Sequence, residues 1–86
     1  MSIIKVSARS RTASVAGAIA GVVREAGRAE VQAIGAGAVN QSVKAIAIAT
    51  GYLAEEDVHV VCVPSFAEVM IDDQERTAIK LTVEPR

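Results

Sequence analysis

The stretch Glu30 to Lys44, EVQAIGAGAVNQSVK, changes period midway. Val31 and Ala33 alternate with Glu30, Gln32 and Ile34 as in a strand, and after Gly35, Ala36 and Gly37 the pattern becomes helical. A strand that ends in glycines at a helix start exposes free N–H groups at the positive end of the helix dipole, which suits an anion such as phosphate. The same spacing also serves a tight turn with close helix-to-sheet packing. A dinucleotide fingerprint is disfavoured: Asn40 holds the third glycine position, the chain is too short for two mononucleotide-binding halves, and Asp57 falls at a strand's start rather than its end.

On the N-terminal side, Ile4, Val6 and Ala8 alternate with Ile3, Lys5 and Ser7, a first strand ending near Ala8. A polar loop, Arg9 to Thr12, leads into a helix that Thr12 or Ser14 could cap. Val15, Ile19, Val22, Val23 and Ala26 form its apolar stripe, Gly27 closes it, and Gly17 and Gly21 on another face would permit a close helix contact. The second strand is Ala29 to Ile34. The second helix is expected from about Ala38 to Thr50, with Val39, Val43, Ile46, Ala47 and Thr50 inward, Asn40, Gln41 and Lys44 outward, and Gly51 as its stop.

On the C-terminal side, Val58 to Val63 is apolar on both faces, which suits a central strand or one lining an interface, and Pro64 ends or bends it. Ala67 to Ile71 and Thr77 to Glu84 read as a hairpin around Asp72, Asp73, Gln74 and Glu75. The order strand, helix, strand, helix and two or three short strands predicts a two-layer α/β fold. Right-handed crossovers make the first two strands parallel with both helices on one face, so the Arg9 to Thr12 and Gly35 to Gly37 loops leave the same end of the sheet.

Composition narrows the function classes. The 86 residues make one domain, 1–86, with a small core that oligomerisation would help. Hydrophobic residues are 51% of the chain, mostly Ala and Val, with one Tyr, one Phe and no Trp, so the interior is packed from small side chains. One cysteine, Cys62, forms no internal disulfide and fits a reducing cytosol. Apolar runs are too short for a membrane span, and MSIIKVSARSR places its charges after its apolar run, unlike a signal peptide. A cytoplasmic location follows as an expectation.

Charge is uneven. Through Gly51 there are six basic and two acidic residues, and thereafter three basic and eight acidic. The first half suits a polyanion and the second repels one. Arg9 and Arg11 flank Ser10 in the first loop, where guanidinium groups can fork onto phosphate oxygens beside a helix N-terminus. Asn40 and Gln41 are near the second helix start, and Lys44, about two turns in, reaches only a long ligand such as a nucleic-acid backbone. Scarce aromatics argue against base stacking, so contacts would rest on backbone and shape. His59, the sole histidine, lies in an apolar strand with Cys62 on the opposite face, which disfavours a nucleophile and base pair. One Cys and one His also make no zinc site, so the reading is a non-enzyme without a cofactor.

The segments SVAGAIAGVVRE, EVQAIGAGAVNQSVKAIAIA and ERTAIKLTVEPR closely resemble the stage V sporulation protein S family. The resemblance implies an Alba-like β-α-β-α-β-β fold, usually dimeric, and a small regulator of bacterial sporulation or development. The wider similarity is to Alba chromatin proteins, which bind DNA or RNA through the loop after strand one, the second helix region and a projecting hairpin. By position the first loop maps onto Arg9 and Arg11. The basic turn maps onto Gly35, Ala36 and Gly37, where Alba's arginines give way to alanine and glycine, and the hairpin tip carries Asp72, Asp73 and Glu75.

The expected function is a dimeric regulator binding DNA or RNA weakly through a basic edge of Lys5, Arg9, Ser10, Arg11, Thr12, Gly35, Gly37, Asn40, Gln41 and Lys44. The alternative is a protein-interaction module without nucleic-acid binding, its acidic hairpin docking a basic protein and its apolar strand dimerising.

Overall fold

The computed structural model describes residues 3–86. Met1 and Ser2, the first residues of the expected 1–86 domain, lie outside the described residues. The elements are β1 (Ile3–Val6), α1 (Thr12–Ala26), β2 (Ala29–Ala33), α2 (Ala36–Glu55), β3 (Val60–Ile71) and β4 (Gln74–Pro85). Four strands form one mixed sheet in the order β1-β2-β4-β3, with β1 and β2 parallel and the other neighbours antiparallel. The arrangement is the expected two-layer α/β fold.

The register sorts the two sheet faces. Val6, Ala33 and Ile79 align across β1, β2 and β4, as do Ile4, Val31 and Leu81. These belong to or pack on the core with Ile19, Val23, Ile46 and Leu53 of the helices. Lys5, Gln32, Lys80 and Ser65 form a row on the opposite face. Among the described residues no helix is long and apolar enough to cross a membrane.

Several local expectations are corrected. β1 ends at Val6 rather than Ala8, because Ser7 turns the chain by accepting Ser10 N–H at its carbonyl (3.1 Å). No side chain caps α1, and Thr12 is its first helical residue rather than its cap. Gly27 does close α1 in a left-handed conformation. Among the described residues Gly17 and Gly21 meet nothing within 4 Å at a Cβ position, so they mediate no close helix contact there. Ala26, placed on the α1 stripe, is exposed.

α2 runs through Gly51 to Glu55, its end tied to α1 where Arg24 Nε donates to the Glu56 carboxylate (2.9 Å). That hydrogen bond, reinforced by charge, holds the Glu56 carboxyl below the usual carboxylate range. A glycine's helix penalty of about 1 kcal/mol is too small to stop a helix anchored by Leu53 in the core. The buried stripe of α2 is Ala38, Ser42, Ala45, Ile46, Ala49 and Leu53, while Val43 and Ala47 are exposed. The face is thus turned by about one residue, roughly 100°, from the one that valine positions suggest. Close packing selects small side chains, and Ser42 is accommodated by donating to Ala38 O (2.8 Å).

The C-terminal half holds two long strands, each of 12 residues, rather than two or three short ones. β3 continues through Pro64 and lies at the sheet edge, not centrally. Asp72 and Asp73 are the two turn residues between paired Ile71 and Gln74, so the turn is shorter than expected. Both have positive φ, 51° and 61°, as a type I′ turn requires. In such a hairpin Ile71 and Gln74 form a hydrogen-bonded pair, and bonded pairs then recur at every second residue. The Arg86 N–H to His59 carbonyl bond (3.1 Å) keeps that parity at the far end. Pro64 falls in a non-bonded pair, so its missing N–H faces the free edge and costs β3 no bond to β4.

An Asp in the left-handed region is strained relative to glycine. Replacing Asp73→Gly is expected to stabilise the protein by about 1 kcal/mol, raising Tm by roughly 4–8 °C in a thermal melt.

Candidate nucleic-acid interface

Because β1 and β2 are parallel and Val6 aligns with Ala33, both strands deliver the chain to the same end of the sheet. Two loops and two helix N-termini meet there, and the packing joins them. A Cβ on Gly37 would stand 2.8 Å from Ala8 Cβ, closer than side chains tolerate. Gln41 Nε2, one turn into α2, donates to the Ser10 carbonyl at 2.8 Å. The first loop and the start of α2 are therefore one surface. Gly35 is required for another reason: at φ 89°, ψ 157° it occupies backbone space that is essentially reserved for glycine.

The first loop is rigidified by its own hydroxyls. Ser10 Oγ accepts Ser7 N–H (2.9 Å), Ser7 Oγ accepts Arg9 N–H (3.2 Å), and the two hydroxyls lie 3.3 Å apart. With these groups engaged in the loop, neither helix start has a side-chain cap. The first internal helix bonds are Val15 N–H to Arg11 O and Val39 N–H to Gly35 O, so the amides of residues 12–14 and 36–38 precede them. These groups point their partial positive charge outward at the same end of the sheet.

Arg9, Arg11, Gly35, Gly37, Asn40 and Lys44 are exposed, and Ser10, Thr12 and Gln41 are half-buried. Gln41 is thus a brace between elements, with its amide committed to Ser10. Lys5 lies apart from the loop, on the open sheet face, in the row with Gln32 and Lys80. Lys80 was not among the residues singled out from sequence. Its alternation within β4 was readable, but its place across Gln32 from Lys5 depends on the strand order. In β2, Glu30 receives Arg28 Nη2 at 2.7 Å, which offsets the acid next to this row.

The hairpin projects from the same end. Ile79 is the last β4 residue paired with β2, so Gln74 to Ala78 extend past the end of β2 by about 16 Å at ~3.3 Å per residue. Asp72, Asp73 and Glu75 lie at its tip, more than one screening length past the end of β2 at physiological salt. Elsewhere, exposed His59 pairs with Asp57 (3.1 Å), and partial burial pushes the Cys62 thiol up from its ordinary value, away from thiolate reactivity.

The fold and this loop end define a small two-layer α/β domain with a paired-loop basic edge and a projecting arm. The chain matches the family model of stage V sporulation protein S (SpoVS) over residues 2–86 and belongs to that family. It is accordingly a sporulation-related protein.

Gly37→Ala is expected to force the first loop and α2 apart, with a stability loss of about 1–3 kcal/mol by urea denaturation. Gly51→Ala, where a Cβ meets nothing within 4 Å, is the neutral or stabilising control.

Proposed function

We propose that this protein is a dimeric, non-enzymatic regulator that binds DNA or RNA weakly, at the edge built by the first loop and the start of α2. The observation that carries the reading is the joining of the two loops, through Gly37 against Ala8 and Gln41 on Ser10, into one surface with Arg9 and Arg11 exposed. Arginine forks and uncapped helix amides are the chemistry that grips phosphate oxygens, and they read the backbone rather than base sequence. Lys5 and Lys44 extend the contact along a polymer. No cofactor enters this function, and a cytoplasmic site of action fits a protein that meets nucleic acid and carries an unpaired thiol.

Affinity is limited by the small number of cations. Four basic residues per subunit, Lys5, Arg9, Arg11 and Lys44, set a slope of log K against log salt of about −3.6 for each subunit in contact. Fluorescence anisotropy of labelled duplex DNA and of RNA over a salt series tests this. The double variant Arg9→Ala, Arg11→Ala is expected to halve the slope, to about −1.8. Absence of binding even at low salt contradicts the reading.

Dimerisation is assigned to the base of β3. Val61 and Val63 are exposed on the open face, and no charged residue lies between Val60 and Phe66. Burying such a patch against a second copy removes apolar surface from water. Sedimentation velocity is expected to show a dimer that Val63→Lys converts to monomer without loss of helix signal; a monomeric wild type contradicts it.

A further inference from the structure

The outer half of the hairpin offers an unpaired strand edge with a chemistry of its own. β3 pairs only with β4 among the described residues, so one side of it is free along its length. The hydrogen-bond parity set by the Asp72–Asp73 turn gives Ala67, Val69 and Ile71 to β4. It turns the backbone groups of Phe66, Glu68 and Met70 outward. Pro64 lacks the N–H at the next outward position, so the free edge is interrupted there and an uninterrupted docking segment begins at Phe66.

The side chains over this segment are apolar around one acid. Phe66 is 78% and Met70 67% exposed, and Pro64, Ser65, Phe66 and Ile79 line an open pocket of about 330 Å³ at the root of the arm. Glu68 stands between Phe66 and Met70 on the same face and accepts Thr77 Oγ1 at 3.1 Å. From Phe66 to Glu75 the chain carries four carboxylates and no basic residue.

We propose that this edge takes an extended basic segment of a partner protein as an added strand. The segment would present an apolar side chain opposite Phe66, a lysine or arginine opposite Glu68, and an apolar side chain opposite Met70. Main-chain bonds to Phe66, Glu68 and Met70 supply the pairing, and alternate side chains supply the selectivity. Charge favours this occupant over a second copy, whose arm would bring the same four carboxylates. Two arms pairing antiparallel about Glu68 would set Glu68 against Glu68, and like charges directly opposite are destabilising. A basic segment converts the same positions into attraction. The surface is separate from the loop edge assigned to nucleic acid, and the inference does not rest on that assignment.

The probe is a labelled, end-capped peptide of sequence Lys-Val-Thr-Lys-Thr-Val-Lys, whose symmetry allows either strand direction, titrated into the full chain by anisotropy with hydrogen exchange followed by NMR. Binding is expected, with new protection at the Phe66, Glu68 and Met70 amides only, because those of Ala67 and Val69 are already bonded to β4. Methylating alternate peptide nitrogens, which removes donors and keeps the charge, should weaken binding by about tenfold or more. Phe66→Pro should also weaken it while leaving the melt cooperative, since that N–H gives β4 nothing; Phe66→Ala separates loss of the ring from loss of the donor. The Arg9→Ala, Arg11→Ala variant should bind the peptide normally, so this site and the nucleic-acid edge are judged separately. No binding, equal binding of the methylated peptide, or loss of binding in the arginine variant overturns the proposal. So does concentration-dependent protection of the same three amides without peptide, which would assign the edge to a second copy.

Discussion

The close approach of Ala8 to Gly37 is the contact on which the organisation of this protein turns. A parallel pair of strands brings two chain crossings to one end of the sheet, but parallel pairing alone leaves the loops independent. With 2.8 Å between Ala8 Cβ and the position of a Cβ on residue 37, only glycine lets the start of α2 settle against the loop that follows β1. That fit places Gln41 within reach of the Ser10 carbonyl, and the resulting bond fixes the loop that carries Arg9 and Arg11. Fold and site thus depend on a missing side chain.

The molecule also separates its charges in space as the sequence separates them along the chain. The cationic loop edge and the acidic arm leave the same end of the sheet, but the arm carries its tip acids Asp72 and Asp73 about 16 Å beyond the end of β2, roughly twice the screening length of ~8 Å at physiological salt, while Glu68, opposite Thr77, stands nearer the root. Repulsion of a phosphate backbone by the tip is therefore weak under cellular conditions and grows at low salt. The two surfaces can serve different partners. A long β-arm with exposed apolar side chains is costly to leave in water, and Pro64 limits edge pairing without loosening the hairpin.

Much of the fold was legible because strand and helix periods are distinct in β1, β2 and β4, and because Gly27 and Gly35 punctuate them. The inward face of α2 was not, since valine outweighs alanine on any hydrophobicity scale whereas the crowded helix layer admits Ala38, Ser42, Ala45 and Ala49. Pro64 misled for a related reason: proline breaks a strand only where its nitrogen faces a neighbour, and that depends on pairing parity. At the site, the convergence of the two loops followed from the parallel pairing that a strand, helix, strand unit imposes on β1 and β2. Their union through Gln41, and the alignment of Lys80 with Lys5, required three-dimensional register that no local pattern encodes.

The central claim is that the two loops act as one surface. An NMR titration of the isotope-labelled protein with a short DNA duplex tests it most directly, following the amides of residues 12–14 and 36–38. The account predicts that both sets shift together with one dissociation constant, and that the arm tip stays unmoved. Shifts confined to one loop, or two sets with unrelated affinities, would contradict it.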